Sequence, residues 1–101
     1  MDEIDRKIEW EKNSINNNKK LMDEITRLNK NLESCIDIVG KSVSGNKAKK
    51  VLDSLRYNNS ISYKQANEKI NDLINESKNR IEVFSNDKEK SSKEKNDRRN
   101  D

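Results

Sequence analysis

Proline and histidine are absent from this 101-residue chain, glycine occurs twice, cysteine once and aromatic residues four times. Each shortage excludes something. Without proline, nothing in the sequence forces a helix to stop. Without histidine, the usual general base and the commonest metal ligand are missing. No glycine-rich phosphate loop and no metal-ligand cluster stands in the sequence. No catalytic, cofactor-binding or metal-ligating residue is therefore assigned, and neither an enzyme nor a small-molecule binder is expected. A single cysteine, Cys35, rules out an intrachain disulfide and suits a reducing compartment. It lies on the edge of an apolar stripe and is expected to be a buried structural thiol. No apolar run approaches the roughly 20 residues of a membrane span. The N-terminus, "MDEIDRKIEW", is acidic and unlike a cleaved signal peptide. A cytoplasmic protein without membrane insertion is the expectation.

Charge is abundant: 41% of residues are charged and only 29% hydrophobic. That balance is poor for a globular core and suits long, solvated helices. The charge is also uneven. Residues 1–39 carry seven basic and nine acidic side chains, and residues 40–84 carry nine and five. Arms of opposite sign favour folding one against the other more than binding a polyanion. A nucleic-acid binder would show a one-signed basic face with aromatics for stacking, so no nucleic-acid partner is expected.

In the first arm, apolar residues recur at heptad spacing. One row is Ile8, Ile15, Met22, Asn29 and Ile36; its companion is Ile4, Glu11, Asn18, Ile25, Leu32 and Val39. Leu21, Leu28 and Cys35 widen the stripe. The seam is weak from Glu11 to Asn18, where "NSINNNKK" is a poor helix former. One helix from about residue 3 to 39 is predicted. In the second arm the period is eleven. Ala48, Asn59, Ile70 and Ile81 form one row, and Leu52, Tyr63 and Ile74 another. Val51, Ser62, Leu73 and Phe84 form a third, and Leu55, Ala66 and Ser77 a fourth. Such a repeat runs nearly straight or slightly right-handed. One helix over about 46–84 is predicted. A break near 58–61, giving helices 46–57 and 62–84, is the alternative, with Ser62 and Gln65 as a capping box. Residues 85–101 contain no apolar side chain and are expected to form a disordered charged tail or a frayed extension of the second helix.

Both glycines lie between the arms. Gly40 follows Val39 at the place of a left-handed C-terminal cap, and Ser42 or Ser44 is suited to cap the second helix. A connection over residues 40–45 joins antiparallel neighbours. The fold class is therefore all-α: an antiparallel, coiled-coil-like two-helix hairpin over residues 1–84. Its densest apolar region is expected beside the turn. There Leu28, Leu32, Ile36 and Val39 would meet Ala48, Val51, Leu52 and Leu55. Each helix has only one neighbour. Trp10, Ile38, Tyr57, Ile61 and Val83 also lie beside the main stripes, which suggests packing against another chain.

The turn reads Val43-Ser44-Gly45-Asn46-Lys47-Ala48, an apolar-x-Gly-x-x-Ala pattern in a hairpin of about 100 residues. It resembles the WXG-type small helical proteins of type VII secretion systems. Those proteins usually carry tryptophan where this chain has Val43. Their export motif, Tyr-x-x-x-Asp/Glu, is missing here: Tyr63 is followed by Asn67 and Phe84 by Lys88. In these departures the chain looks like the accessory partners of LXG-type toxins. The resemblance implies a non-enzymatic adaptor or targeting chaperone that binds an effector's helical domain beside a second small helical partner. It also implies export with the effector as a signal-independent option. A self-associating coiled-coil protein with no secretion role is the alternative. The residues expected at the hairpin or partner interface are Leu21, Ile25, Leu28, Leu32, Ile36, Val39, Val51, Leu52, Leu55, Tyr63, Ile70, Leu73, Ile74 and Phe84. Gly40, Val43, Gly45 and Ala48 are expected to shape the turn.

Overall fold

The computed structural model describes the backbone of residues 2–100 and the side chains of residues 2–93. Among the described residues there are two helices: α1, Glu3–Ser42, and α2, Asn46–Asn100. No strand occurs among the described residues. The fold is the expected all-α antiparallel hairpin. Its contacts divide the chain into two compact units. One comprises Lys20–Ile70 and includes the turn; the other comprises Met1–Lys19 and Asn71–Asp101.

Local chemistry explains both helix starts. The Arg6 amide donates to the Asp2 carbonyl at 3.0 Å, and Glu3 and Asp5 place negative charge in the first turn of α1, where the macrodipole favours it. Gly45 is the residue that bends the chain. It has φ +99°, and its carbonyl accepts the Lys49 amide at 3.2 Å, opening α2. Only glycine takes that backbone conformation without strain. The first turn of α2 contains no acidic residue.

Gly40 does not cap α1, contrary to the sequence reading. The helix continues through Ser42, and Gly45 is the only positive-φ residue among those described. Gly40 instead lies inside the helix facing α2, where a Cβ would make ordinary van der Waals contact, 3.6 Å from Leu52 Cδ1. The serine caps are likewise not formed. Ser42 Oγ donates back to the Ile38 carbonyl at 3.5 Å, within its own helix. α2 is unbroken through residues 58–61, because a side-chain pair at Asn59, described below, satisfies the weakest point. Residues 85–100 continue α2 as an extension of the helix. The segment has neither glycine nor proline, and its lysines and glutamates are good helix formers. Side chains 94–101 lie outside the described residues.

In the turn unit, Ile36 and Ile70 are buried, and Met22, Ile25, Leu52 and Tyr63 are half-buried. In the other unit, Ile15 and Ile74 are buried, with Ile4, Ile8, Ile81 and Phe84 half-buried. These positions follow the predicted rows. α1 uses its first heptad row through Ile36 and the companion row through Ile25, and α2 uses three of its four eleven-residue rows. The densest closed-end seam is not where it was expected. Leu28, Leu32, Val39, Val51 and Leu55 are all at least 40% exposed. A seven-residue row drifts about 20° per heptad around a straight helix. By Leu32 and Val39 the companion row has rotated out of the seam, and Gly40 takes the inward place.

Candidate interaction surface

Polar residues that interrupt the heptads turn out to face one another. In the turn unit, Asn59 Nδ2 donates to Asn29 Oδ1 at 2.8 Å. The two residues stand fifteen positions either side of Ser44. Next to them, the Tyr63 hydroxyl and Thr26 Oγ1 are 2.9 Å apart. Because the Thr26 hydroxyl donates to the Met22 carbonyl at 2.9 Å, Tyr63 donates to Thr26. In the other unit, Glu11 is only 4% exposed and lies opposite Ser77, at 1%. Arg80 donates Nε to Glu11 Oε1 at 2.7 Å and Nη2 to Oε2 at 3.2 Å. Its Nη2 also reaches Ser77 Oγ at 3.3 Å.

These contacts set the charge behaviour. The hydrogen bonds from Arg80 hold the Glu11 carboxyl below its ordinary value, against the opposing effect of burial and with help from Ser77. The same pairing holds the Arg80 guanidinium above its ordinary value. Lys88, hydrogen-bonded to Asp5, is also raised. In each of the three ion pairs that join α1 to α2 among the described residues, α1 supplies the acid and α2 the base. They are Glu11–Arg80, Asp5–Lys88 and Asp37–Arg56. Two of the three, Glu11–Arg80 and Asp37–Arg56, join the acidic arm 1–39 to the basic arm 40–84.

The two flanks of the turn unit differ. One is polar: Asp37 and Arg56 bond at 2.6 Å, with Glu33, Lys49 and Asp53 nearby. The other carries a groove of about 240 Å³ in which Leu28 and Leu32 of α1 face Ser62 and Ala66 of α2. The rows through these residues extend the same flank. Leu21, Cys35 and Val39 continue it along α1, and Val51 and Leu55 along α2. No charged side chain stands in those rows within the unit. Cys35 is exposed there, not buried as expected, because its row borders the seam without entering it.

The residues expected at an interface therefore separate into two groups. Ile36, Ile70 and Ile74 are buried between the helices, and Ile25, Leu52, Tyr63 and Phe84 are half-buried. Leu21, Leu28, Leu32, Val39, Val51, Leu55 and Leu73 remain exposed. Of the turn residues, Gly40, Val43 and Ala48 are half-buried and Gly45 is exposed. Glu11, Asn29, Asn59, Ser77 and Arg80 were not singled out as functional. Reflection about the turn would have revealed them, since Asn29 pairs with Asn59 and Glu11 faces Ser77 at equal distances from Ser44. Among the described residues, no group of His, Cys, Asp and Glu is placed to hold a metal ion. No described helix is long and apolar enough to cross a membrane. No family model, curated protein or solved structure matches the chain.

Proposed function

We propose that this chain is a non-enzymatic helical adaptor that binds a helical segment of another protein. The observation that carries the reading is the uncharged flank of the turn unit. Leucines and valines there are 40–67% exposed, while the register is already pinned by polar pairs inside the hairpin. Apolar side chains aligned in this way mark a docking surface more often than an ordinary solvated face. The Val43–Ala48 turn and its resemblance to WXG-type proteins make the helical domain of an LXG-like type VII effector the proposed partner. A second small helical protein would bind beside it. In this reading the chain acts in the cytoplasm as a targeting chaperone and leaves, if at all, only with its effector.

The test is co-expression with such an effector's helical domain, followed by measurement of the mass of the purified species. A defined hetero-complex that melts at a higher temperature than the lone chain is the expected result. A lone chain that forms a stable homo-oligomer and takes up no effector would favour the self-associating coiled coil instead.

A further inference from the structure

From the charge around the uncovered flank, we infer that its occupant is an amphipathic helix of another protein with acidic rims, and not a second copy of this chain. The inference rests on the adaptor reading and adds the chemistry of the partner. Along α2, the row one helical turn from Val51 and Ser62 is Lys47, Asn58 and Lys69. All three are exposed, and neither lysine takes part in an ion pair among the described residues. Of the two carboxylates that α2 contributes to this unit, Asp53 sits on the opposite flank beside Asp37 and Arg56, and Glu68 shares the exposed row of Tyr57, outside the flank rows. On the α1 edge, Glu24 is already paired with Arg27 at 2.8 Å. The rim of the flank is therefore basic and unpaired.

A second observation points the same way. The first turn of α2 holds no acid, and Lys47, Lys49 and Lys50 stand at the helix end where the macrodipole is positive. That arrangement disfavours the isolated helix and is relieved by negative charge brought from outside. A second copy would bring the wrong sign. The turn unit, Lys20–Ile70, has ten basic and six acidic side chains, a net +4. Pairing two such units flank to flank sets basic rim against basic rim. An acidic amphipathic helix places leucine-like side chains on Leu28 and Leu32 and carboxylates beside Lys47 and Lys69.

The test uses the full chain and two designed helical peptides of three heptads with leucine seams. One peptide has glutamate rims and the other lysine rims. Calorimetric titration should show the glutamate peptide binding about tenfold or more tightly than the lysine peptide, with affinity falling as salt is raised. Leu28→Ser should weaken binding about tenfold, the scale of a partly buried leucine. Ile38→Ser, outside the flank rows, should leave it unchanged. Lys47→Glu should raise the melting temperature by improving the α2 N-terminus, yet weaken the glutamate peptide. That opposition separates lost binding from lost folding. Equal or better binding of the lysine peptide at the same face would overturn the acidic partner and leave the adaptor reading standing. So would failure of both peptides while an effector domain still co-purifies. A stable dimer that Leu28→Ser dissociates would overturn both.

Discussion

At the scale of single residues, the polar interruptions of the seam specify the pairing more than they weaken it. Glu11 and Arg80 form a two-bond pair around a carboxylate that is almost fully buried. The Glu11 carboxyl is held below its ordinary value of 4.5. Its contribution is thus fully present above that value and is lost as the pH falls through the lowered one. Acid titration of helicity should show this loss, and Glu11→Gln should flatten the dependence there. At neutral pH, Glu11→Gln should destabilise the chain by about 1–3 kcal/mol, the usual cost of disturbing a buried charged hydrogen bond, read from urea midpoints. The Asn29–Asn59 pair gives a sharper contrast. Asn29→Leu alone strands the Asn59 amide in a part-buried site and should cost about 1–3 kcal/mol. The double change to leucine should recover that loss. A double-mutant cycle with no coupling would show that the pair does not form.

Among the elements, the turn distributes two different tasks between its glycines. Gly45 carries the positive φ, and Gly40 lies inside α1 with room for a Cβ against Leu52. Gly45→Ala should destabilise the hairpin by about 1 kcal/mol or more through backbone strain. Gly40→Ala should stabilise it by about 0.5–1 kcal/mol, because alanine is the better helix former. Thermal melts followed by circular dichroism check both, and opposite signs are the outcome to look for. At the far end of α2, Lys88 bonds Asp5 in an exposed setting. Exposed pairs contribute about 0–1 kcal/mol. Deleting residues 85–101 should therefore lower stability by no more than that and leave partner affinity unchanged. A tenfold loss of affinity would make the segment a recognition element.

For the molecule as a whole, the apolar side chains divide into those buried between the helices and those exposed on the flank where a partner is proposed to bind. Ile36 is 2% exposed and Leu32 is 40% exposed. Ile36→Ala should cost about 2–4 kcal/mol of stability, as buried isoleucine truncations do. Leu32→Ala should cost well under half as much and should instead weaken binding of the proposed helical partner. Equilibrium unfolding and titration with the partner, run on both variants, measure the two effects separately. Equal losses of stability would place Leu32 back in the seam.

Much of the fold follows from the sequence alone. The helical class comes from the 3.5- and 3.67-residue periods, the absence of proline and the clustering of both glycines. The rows Ile8–Ile15–Met22–Asn29–Ile36 and Ala48–Asn59–Ile70–Ile81 were legible because burial on a helix recurs with the backbone period. The pairing of acid from one arm with base from the other was legible in their net charges. What only the tertiary structure decided is which rows face inward once two helices of different period are paired. A seven-residue row rotates out of register with an eleven-residue one, so Leu32, Val39, Val51 and Leu55 became surface and Gly40 came to face Leu52. The role of each glycine was decided in the same way. Backbone angles depend on how the arms meet, and composition does not encode that. Glu11, Asn29 and Asn59 read as flaws in one helix because their partners lie thirty or more residues away, and the register of the hairpin brings them together.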